Sequence, residues 1–429
     1  MGVIQALQGI EILDSRGNPT ILCMCTLDNG IEASASVPSG ASTGSKEAYE
    51  LRDQDKQRYR GKGVLNAISM IEQRIAPAII GLEADGQETI DDIMQQLDGT
   101  HNLQELGANA VLAVSLAVAK AAALDADLPI YAYLGSADRY RLPVPFMNVL
   151  NGGAHAANNI DIQEFMIVPT GFSCFSEALR AGTEIYHALA RVLDRDGLST
   201  SVGDEGGFAP NISAIDTVFT YLLEAISAAG YQAGKDVHVA LDIAASEFYQ
   251  EGAYYLSGMQ QRYTAAEWVE VLADLVERYP IISIEDGMAE DDIAGWQLLS
   301  QRLGEKIQLV GDDVFVTQAR VLRDGIDKNI ANAILIKPNQ VGTLTGTLLT
   351  IGLAKQVGYG AMISHRSGET DDAFIADLAV ACGTGQIKTG APCRGERLAK
   401  YNRLLQIERA LGEAATFKVD GTLLLGITS

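Results

Sequence analysis

The feature that most constrains this chain is a series of short apolar runs, each ending on an ionisable residue. Ala333–Ile336 ends on Lys337, and the same pattern recurs with ends at Asp242, Glu285–Asp286, Asp312–Asp313, His365–Arg366 and Lys388. From Glu285 to His365 the successive ends are 27, 25 and 28 residues apart, the length of one strand, one helix and two loops. This alternation indicates a parallel sheet, and ionisable residues at the carboxyl ends of the strands are typical of a closed (β/α) barrel.

The lysine after Ala333–Ile336 allows two interpretations. Burying an ammonium group costs free energy unless its proton is lost or an anion lies close to it. Lys337 is therefore either a structural partner of the neighbouring acids or a group poised to accept protons. In both cases the open end of the barrel is expected to hold acids, bases and a metal ion.

The chain is too long for one ordinary domain and too acidic for a nucleic-acid partner. Its 429 residues allow a barrel plus a second domain, and 47% of them are hydrophobic, enough for a sizeable core. The net charge of −23 repels phosphate backbones, so an anionic substrate needs locally assembled cations. The five cysteines do not suggest a disulfide framework, and Cys23 and Cys25 suit core packing better than metal binding.

Two segments bear on the location of the protein. Met1–Ala6 lacks the basic start and apolar stretch of a secretion signal, and Ala6 stands where a myristoylation motif requires Ser or Thr. Residues 110–123 are the most apolar, but Ser115 and Lys120 interrupt them, so we expect a buried, alanine-rich helix that falls short of a membrane span. A cytoplasmic, reduced location without membrane insertion follows as the expectation.

Residues 1–135 differ in pattern from the rest and predict a separate α+β domain. The predicted elements are strands at Ile10–Leu13, Thr20–Leu27 and Ile31–Val37 and helices at Gly63–Ile79 and Ala108–Leu124. Gly135, Pro143 and Pro145 interrupt the periodicity near the boundary, and the barrel domain is predicted over residues 143–429.

Between the third predicted strand and Glu47 lies the small-residue segment Pro38–Lys46. It is not a P-loop, because Ser45 separates Gly44 from Lys46 where that motif requires Gly-Lys. The residues alone favour a flexible surface loop over a hinged lid whose serine hydroxyls reach a ligand.

Three further segments place polar side chains near predicted strand ends. They are a glycine loop that carries His155, a strand-like run that carries Glu164, and a glycine-rich stretch that carries Glu205. Acids among glycines usually mark a solvated turn, but glycine also lets a backbone approach a ligand closely. Both interpretations stay open on these residues alone.

Six stretches together resemble the motifs of the enolase family, the glycolytic 2-phosphoglycerate dehydratases. They are residues 36–46, 203–211, 283–287, 336–342, 364–370 and 386–390. The resemblance covers essentially the whole chain, and the motifs are long and in the expected order. It implies an α/β fold, a modified (β/α)8 TIM-like barrel with an α+β N-terminal capping domain. It also implies two Mg²⁺ ions, the second bound with the substrate, and a homodimer or an assembly of dimers.

Carried over position by position, the resemblance implies a role for each candidate residue. Asp242, Glu285 and Asp312 would hold the first magnesium, and Ser42 in the lid would bind the second together with the substrate phosphate. Lys337 would be the general base and Glu205 the general acid. The residues that would line the 2-phosphoglycerate or phosphoenolpyruvate are His155, Gln163, Glu164, His365, Arg366, Ser367 and Lys388.

The chemistry of these residue types agrees with the resemblance. Magnesium prefers oxygen ligands, and three carboxylates at three strand ends supply them. Two cations disperse the charge that forms when a proton leaves a carbon beside a carboxylate, and a lysine near them is expected to stay neutral enough to act as a base. Glu205 would act as an acid if burial raises its pKa, and the fork of Arg366 fits a phosphate.

Each candidate taken singly has a plainer interpretation. A lone acid is more often a strand-end cap or a surface group, a lone lysine a structural partner, and His155 a hydrogen-bonded loop histidine. The co-occurrence of three acids, two lysines and a His-Arg pair at separate predicted strand ends favours a site.

Three positions depart from the family pattern. Pro338 follows Lys337 where an apolar, non-proline residue is common, and it favours extended geometry at the lysine. Gly346 replaces a usual glutamate and weakens the following helix by about 1 kcal/mol. Ala157 is expected to alter how the His155 loop closes. None of the three removes a candidate catalytic residue.

Three functional hypotheses follow. The first is a magnesium-dependent lyase that interconverts 2-phosphoglycerate and phosphoenolpyruvate. The second is a binding protein on a cell surface or in an assembly, which would not need intact ligands and base. The third is a superfamily enzyme for a non-phosphorylated acid, against which Ser42 and Lys388 argue.

Overall fold

The computed structural model describes residues 2–40, 44–135, 138–156, 158–212, 214–258 and 260–419. Three antiparallel strands open the chain and form a sheet of their own in the order β1-β2-β3. Their bounds are β1 (Ile4–Leu13), β2 (Pro19–Leu27) and β3 (Glu32–Ser36). All three strands were predicted, although β1 begins six residues earlier than expected because its amino-terminal half alternates only weakly between buried and exposed side chains.

Five helices follow among the described residues of the amino-terminal part, of which the first, second and fourth pack against this sheet. They are α1 (Leu65–Met70), α2 (Ala76–Ile79), α3 (Gln87–Asp98), α4 (Ala108–Asp125) and α5 (Ile130–Leu134). A π-helical segment, Ile71–Ile75, joins α1 to α2, so the predicted helix over 63–79 is not one regular α-helix. Helices α3 and α5 were not predicted.

Helix α4 is buried between the three-stranded sheet and the barrel domain. Fifteen of its 18 residues are buried, and it packs on β2, β3 and α3. A helix that is apolar on every side belongs in a protein interior, and its many alanines let the neighbouring strands come close. The predicted buried, alanine-rich helix is confirmed and ends one residue later than predicted, but the expectation that it falls short of a membrane span by length and composition was wrong. With 18 residues it is long and apolar enough to cross a membrane, yet 83% of it is buried in the protein.

The second half of the chain forms a closed eight-stranded barrel in the order β11-β12-β13-β14-β15-β5-β6-β7. The strands from β4 onward are β4 (Tyr140–Leu142), β5 (Val144–Asn151), β6 (Glu164–Pro169), β7 (Val237–Asp242), β8 (Tyr249–Gln250), β9 (Ala253–Leu256), β10 (Gln261–Tyr263), β11 (Ile281–Glu285), β12 (Gln308–Gly311), β13 (Ala333–Ile336), β14 (Gly360–Ser364), β15 (Gln386–Lys388) and β16 (Ala415–Phe417). Strand β6 runs antiparallel to both its neighbours, and the other barrel pairs are parallel. The barrel with an irregular start confirms the expected fold class.

Helices surround the barrel and separate most of its strands. They are α6 (Phe175–Arg195), α7 (Ile215–Ala228), α8 (Ala265–Arg278), α9 (Ile293–Leu303), α10 (Ala319–Asp327), α11 (Pro338–Val341), α12 (Leu344–Gln356), α13 (Phe374–Cys382) and α14 (Gly395–Leu411). Pro338 is the first residue of α11, where its fixed φ suits a helix start, and Lys337 is extended as predicted. Helix α12 forms despite Gly346, because the Thr343 hydroxyl caps it by accepting the Gly346 N–H at 3.1 Å.

The register of the strands brings the predicted residues to one rim. Glu285 pairs with Asp242, and Ser364 pairs with Lys388. Below this rim the amides of Gln308 and Gln386 donate to each other at 2.8 Å inside the barrel. The interior of the barrel is therefore packed and hydrogen-bonded. The functional groups lie above it, at the carboxyl ends of the strands.

We expect the burial of α4 to dominate its contribution to stability. Leu112→Ala removes a fully buried side chain and should cost about 2–5 kcal/mol of unfolding free energy. Leu124→Ala on the same helix is the control, because Leu124 is 55% exposed and should cost about 0.5 kcal/mol or less. Urea denaturation of both variants checks this, and equal shifts of the midpoint would contradict the described packing.

Candidate active site

A small cavity lies at the carboxyl-terminal rim of the barrel. Its volume is about 20 Å³, and its lining residues are His155, Gln163, Glu164, Glu205, Asp242, Asp312, Lys337, Ser364, His365, Arg366, Ser367 and Lys388. All of these except Ser364 are predicted site residues. Of the remaining two, Glu285 contacts Lys388 and Ser42 lies outside the described residues, as does Ala157. The cavity holds about one water molecule, so a larger ligand requires the side chains to separate.

The ammonium group of Lys388 lies among carboxylates at the centre of this rim. It donates to Asp242 Oδ2 and to both Glu285 oxygens at 2.9 Å, and it lies 3.2 Å from Glu164 Oε2. Burial lowers the pKa of Lys388, but these carboxylates outweigh it and hold the pKa well above its usual value. Lys388, expected to line the substrate, is thus ion-paired with two of the predicted metal ligands.

These carboxylates form a site that favours a cation. Burial and the charge of Asp242 raise the pKa of Glu285 well above its usual value. Burial and the charge of Glu205 do the same to Glu164. Gln163 Nε2 donates to Asp242 Oδ2 at 3.2 Å and orients that carboxylate. The oxygens of these carboxylates are of the kind that a hard cation such as magnesium prefers, and in this arrangement Lys388 provides the positive charge between them.

Lys337 and Asp312 form the second charged pair of the rim. Lys337 Nζ donates to Asp312 Oδ2, and Gln340 Nε2 donates to Asp312 Oδ1 at 2.9 Å. Burial lowers the pKa of Lys337, but the Asp312 carboxylate raises it, and the net pKa is above the usual value. The Asp312 carboxylate therefore favours the ammonium form of Lys337, and the neutral form expected beside two bound cations stays a prediction.

Asp286 supports the backbone under the rim. Its carboxylate accepts the N–H groups of Asp312 at 2.8 Å and of Asp313 at 3.0 Å, and its own φ of 42° lies in the left-handed region. A non-glycine residue in this conformation stores strain that the surroundings must hold. Asp286, Asp312 and Asp313 also offer ligand atoms within 4.8 Å of one another, as do His155, Glu164 and Glu205.

Glu205 lies in a cage of polar side chains on the opposite wall. Asn148 Nδ2 donates to its Oε2 at 3.1 Å and Ser367 Oγ to its Oε1 at 3.3 Å, while His365 Nε2 lies 3.2 Å from Oε2. Burial raises the pKa of Glu205, but His365, His155 and Arg397 outweigh it, and the pKa lies well below its usual value. A pKa raised by burial, which was the condition for Glu205 to act as an acid, is thus not found for Glu205 in this cage, and it is Glu164 that has the raised pKa.

Arg366 is held by a residue that the sequence did not single out. Its Nη1 and Nη2 donate to the two oxygens of Glu47 at 3.0 and 3.2 Å, and Nη1 also donates to Asn339 Oδ1 at 3.2 Å. Glu47 Oε1 further accepts the Gly44 N–H at 3.0 Å, at the end of the predicted lid segment. The guanidinium fork expected to bind phosphate thus faces a carboxylate that is joined to that segment.

Comparison with known protein families identifies the family of the chain that carries this site. Residues 4–134 match the family model described as the enolase N-terminal domain, and residues 139–423 match the one described as the enolase C-terminal TIM barrel domain. The chain belongs to the enolase family. It is an enolase, a phosphopyruvate hydratase with a small-molecule substrate, and the resemblance inferred from the motifs is confirmed. Enolases generally use Mg²⁺, which agrees with the acidic clusters of the rim.

Several residues of this enolase site were given no role from the sequence. Asp286 and Asp313 were recognised only as ionisable ends of apolar runs, directly after Glu285 and Asp312. Glu47 and Gln340 gave no signal of their own, because their roles arise from contacts across the fold. Gln340 Nε2 reaches both Asp312 and Glu47, so it joins the rim to the amino-terminal segment.

We expect the Lys388 ammonium to stabilise the rim of this enolase in metal-free buffer. Lys388→Met leaves the carboxylates of Asp242, Glu285 and Glu164 without their cation, and breaking such a buried pair costs about 3–5 kcal/mol. The unfolding temperature should fall, and Mg²⁺ should restore more of it in the variant than in the wild type. Differential scanning fluorimetry with and without Mg²⁺ measures both effects.

The control is Lys120→Met, because Lys120 pairs with Asp372 away from the cavity. It should respond to Mg²⁺ as the wild type does. The same Mg²⁺ response in the Lys388 and Lys120 variants would show that Lys388 does not occupy a cation position.

Proposed function

We propose that this chain interconverts 2-phosphoglycerate and phosphoenolpyruvate plus water with Mg²⁺, in glycolysis and gluconeogenesis. One observation carries the proposal. Lys337 and Glu205 line the same cavity, although they come from separate walls of the barrel. Lys337 follows β13, and Glu205 is held by Asn148 of β5, three strands away around the ring. A substrate between them can lose a proton to one and a hydroxyl group towards the other.

Lys337 is the proposed general base. It takes the proton from the carbon beside the substrate carboxylate, and for this its ammonium group must first lose a proton. Its partner Asp312 opposes that loss as long as the carboxylate bears its full charge. Sites of the enolase superfamily are a known example of a Lys or His base combined with one or two Mg²⁺ ions.

Glu205 is the proposed general acid. It assists departure of the β-hydroxyl group as water and must carry a proton when it does so. The surrounding histidines favour the ionised form of Glu205. Glu205 must therefore gain its proton when the substrate complex forms. Glu164, whose carboxyl group retains a proton more readily, lies in the same cage through His155, which is 3.4 Å from Glu164 Oε1 and 3.7 Å from Glu205 Oε1.

The remaining candidates bind the substrate and the metal. Asp242, Glu285 and Asp312 would hold the first magnesium and Ser42 the second, and bound magnesium supplies positive charge to the substrate carboxylate. Arg366 would bind the phosphate with its fork. The other proposed substrate contacts are His155, Gln163, Glu164, His365, Ser367 and Lys388.

The proposal extends to organisation and location. We place the capping domain at residues 1–135, with the Ser42 lid, and the catalytic barrel at residues 143–429. We propose a homodimer or an assembly of dimers, without nucleic-acid partner or membrane insertion. A cytoplasmic location is supported by the cysteines, which are all free, and by the buried positions of Cys23 and Cys25.

Loss of the proposed base should slow the reaction by orders of magnitude. Lys337→Ala removes the only group assigned to take the α-proton, and general bases of this kind contribute about 10²–10⁴-fold to the rate. Magnesium-dependent formation of phosphoenolpyruvate, followed by its ultraviolet absorbance, measures this. No activity in the wild type would end the proposal, and unchanged activity in the variant would end the base assignment.

The roles of the proposed acid and the proposed base can be tested separately, because each acts in a different step of the reaction. In Glu205→Gln we expect exchange of the α-proton with solvent to survive, because Lys337 is intact, while dehydration is lost. Proton NMR of 2-phosphoglycerate in deuterated buffer follows the exchange, and phosphoenolpyruvate formation follows the dehydration. If both are lost together, Glu205 has a structural role instead.

A further inference from the structure

One fully buried arginine on α14 has no part in the function proposed above. Arg397 is 0% exposed, although its side chain is charged. Its nearest carboxylate oxygen is Glu396 Oε1, at 3.5 Å from Nε. The ends of its guanidinium group, Nη1 and Nη2, instead point into the loops that carry His365 and Glu205. A buried charge must be compensated by hydrogen bonds, so these contacts are informative.

Four acceptors at the ends of the guanidinium group belong to the site. Nη1 contacts His365 Nδ1 at 2.6 Å and donates to the Arg366 carbonyl at 2.6 Å. Nη2 donates to the Ser367 carbonyl at 2.6 Å and to the Asp204 carbonyl at 3.0 Å. One side chain therefore ties the 365–367 turn to the residue that precedes Glu205.

The contact with His365 determines its tautomer. A guanidinium group has only donors and keeps its charge in proteins, so His365 Nδ1 must accept. The ring proton is then on Nε2, which lies 3.2 Å from Glu205 Oε2, without the alignment of a full hydrogen bond. His365 faces Glu205 with its N–H edge.

We infer that Arg397 is a positioning residue that holds His365 in its Nε2–H tautomer and directs that group at Glu205. In this arrangement His365 directs its Nε2–H at the Glu205 carboxylate and does not accept a proton from it through Nε2. The tautomer follows from the contacts alone. Its consequence for dehydration rests on the proposed function.

The tautomer is measurable in the wild-type protein. The chain has only five histidines, so two-dimensional ¹⁵N–¹H spectra of histidine-labelled protein are simple, and loss of a signal in His365→Gln assigns His365. At neutral pH we expect an unprotonated Nδ1 and a protonated Nε2 for this residue. A protonated Nδ1 in the wild type overturns the inference, and this test needs no arginine variant to fold.

Variants then test whether Arg397 is the cause. Arg397→Lys keeps a buried positive charge but loses the planar fork, so we expect His365 to populate both tautomers. Dehydration should fall about 10- to 100-fold, as when a partner that orients a functional imidazole is removed. Exchange of the α-proton should change much less, because Lys337 does not contact Arg397.

Lys400→Met is the matched control. Lys400 lies one turn further along α14, is equally buried, and donates to Glu369 Oε2 at 2.8 Å and to the Thr370 carbonyl at 2.6 Å rather than to His365. It should leave the His365 tautomer unchanged. An unchanged tautomer in Arg397→Lys, or the same change in both variants, overturns the inference. If the wild type proves inactive, the spectra still show the tautomer of His365. Failure of the proposed function can therefore be distinguished from failure of this inference.

Discussion

The structure depends on the pairing of buried opposite charges at one end of the barrel. Lys388 faces Asp242, Glu285 and Glu164, and Lys337 faces Asp312. Either set of charges alone would be costly to bury, because isolated ions lose far more in hydration than packing returns. The strands must therefore keep a register in which each ammonium group reaches its acids. The paired charges that stabilise the rim also make it a site for cations and anions.

A layer of hydrogen-bonding side chains keeps these charges in place. Asp286 holds the backbone of Asp312 and Asp313, Gln340 joins Asp312 to Glu47, and the Gln308–Gln386 pair lies below the rim. These groups donate and accept where charged side chains alone would leave unsatisfied partners. Glu47 also connects Arg366 to Gly44, so the amino-terminal segment contributes directly to the electrostatics of the barrel.

The strand ends were predictable because each closes an apolar run, and the local pattern of residues carries that information. Asp242, Glu285, Asp312, Lys337 and Lys388 follow this rule and lie at one rim. The protonation preferences of Lys337 and Glu205 were not predictable in the same way. They depend on Asp312 and on His365, which are remote in the chain, and a pKa responds to whichever partner the fold supplies. Glu47 and Arg397 escaped prediction for the same reason.

The reversed strand β6 has its own consequence for the rim. Because it runs against its neighbours, it brings its first residue, Glu164, beside the last residues of β5 and β7, Asn151 and Asp242. The segment between β5 and β6 thus leaves and re-enters the barrel on the same side, as in a hairpin, and need not cross to the far end. Insertions or deletions there would leave the closure of the ring intact and act only on what enters its mouth. Because this segment carries His155 and Gln163, changes within it would act directly on the cavity at that mouth.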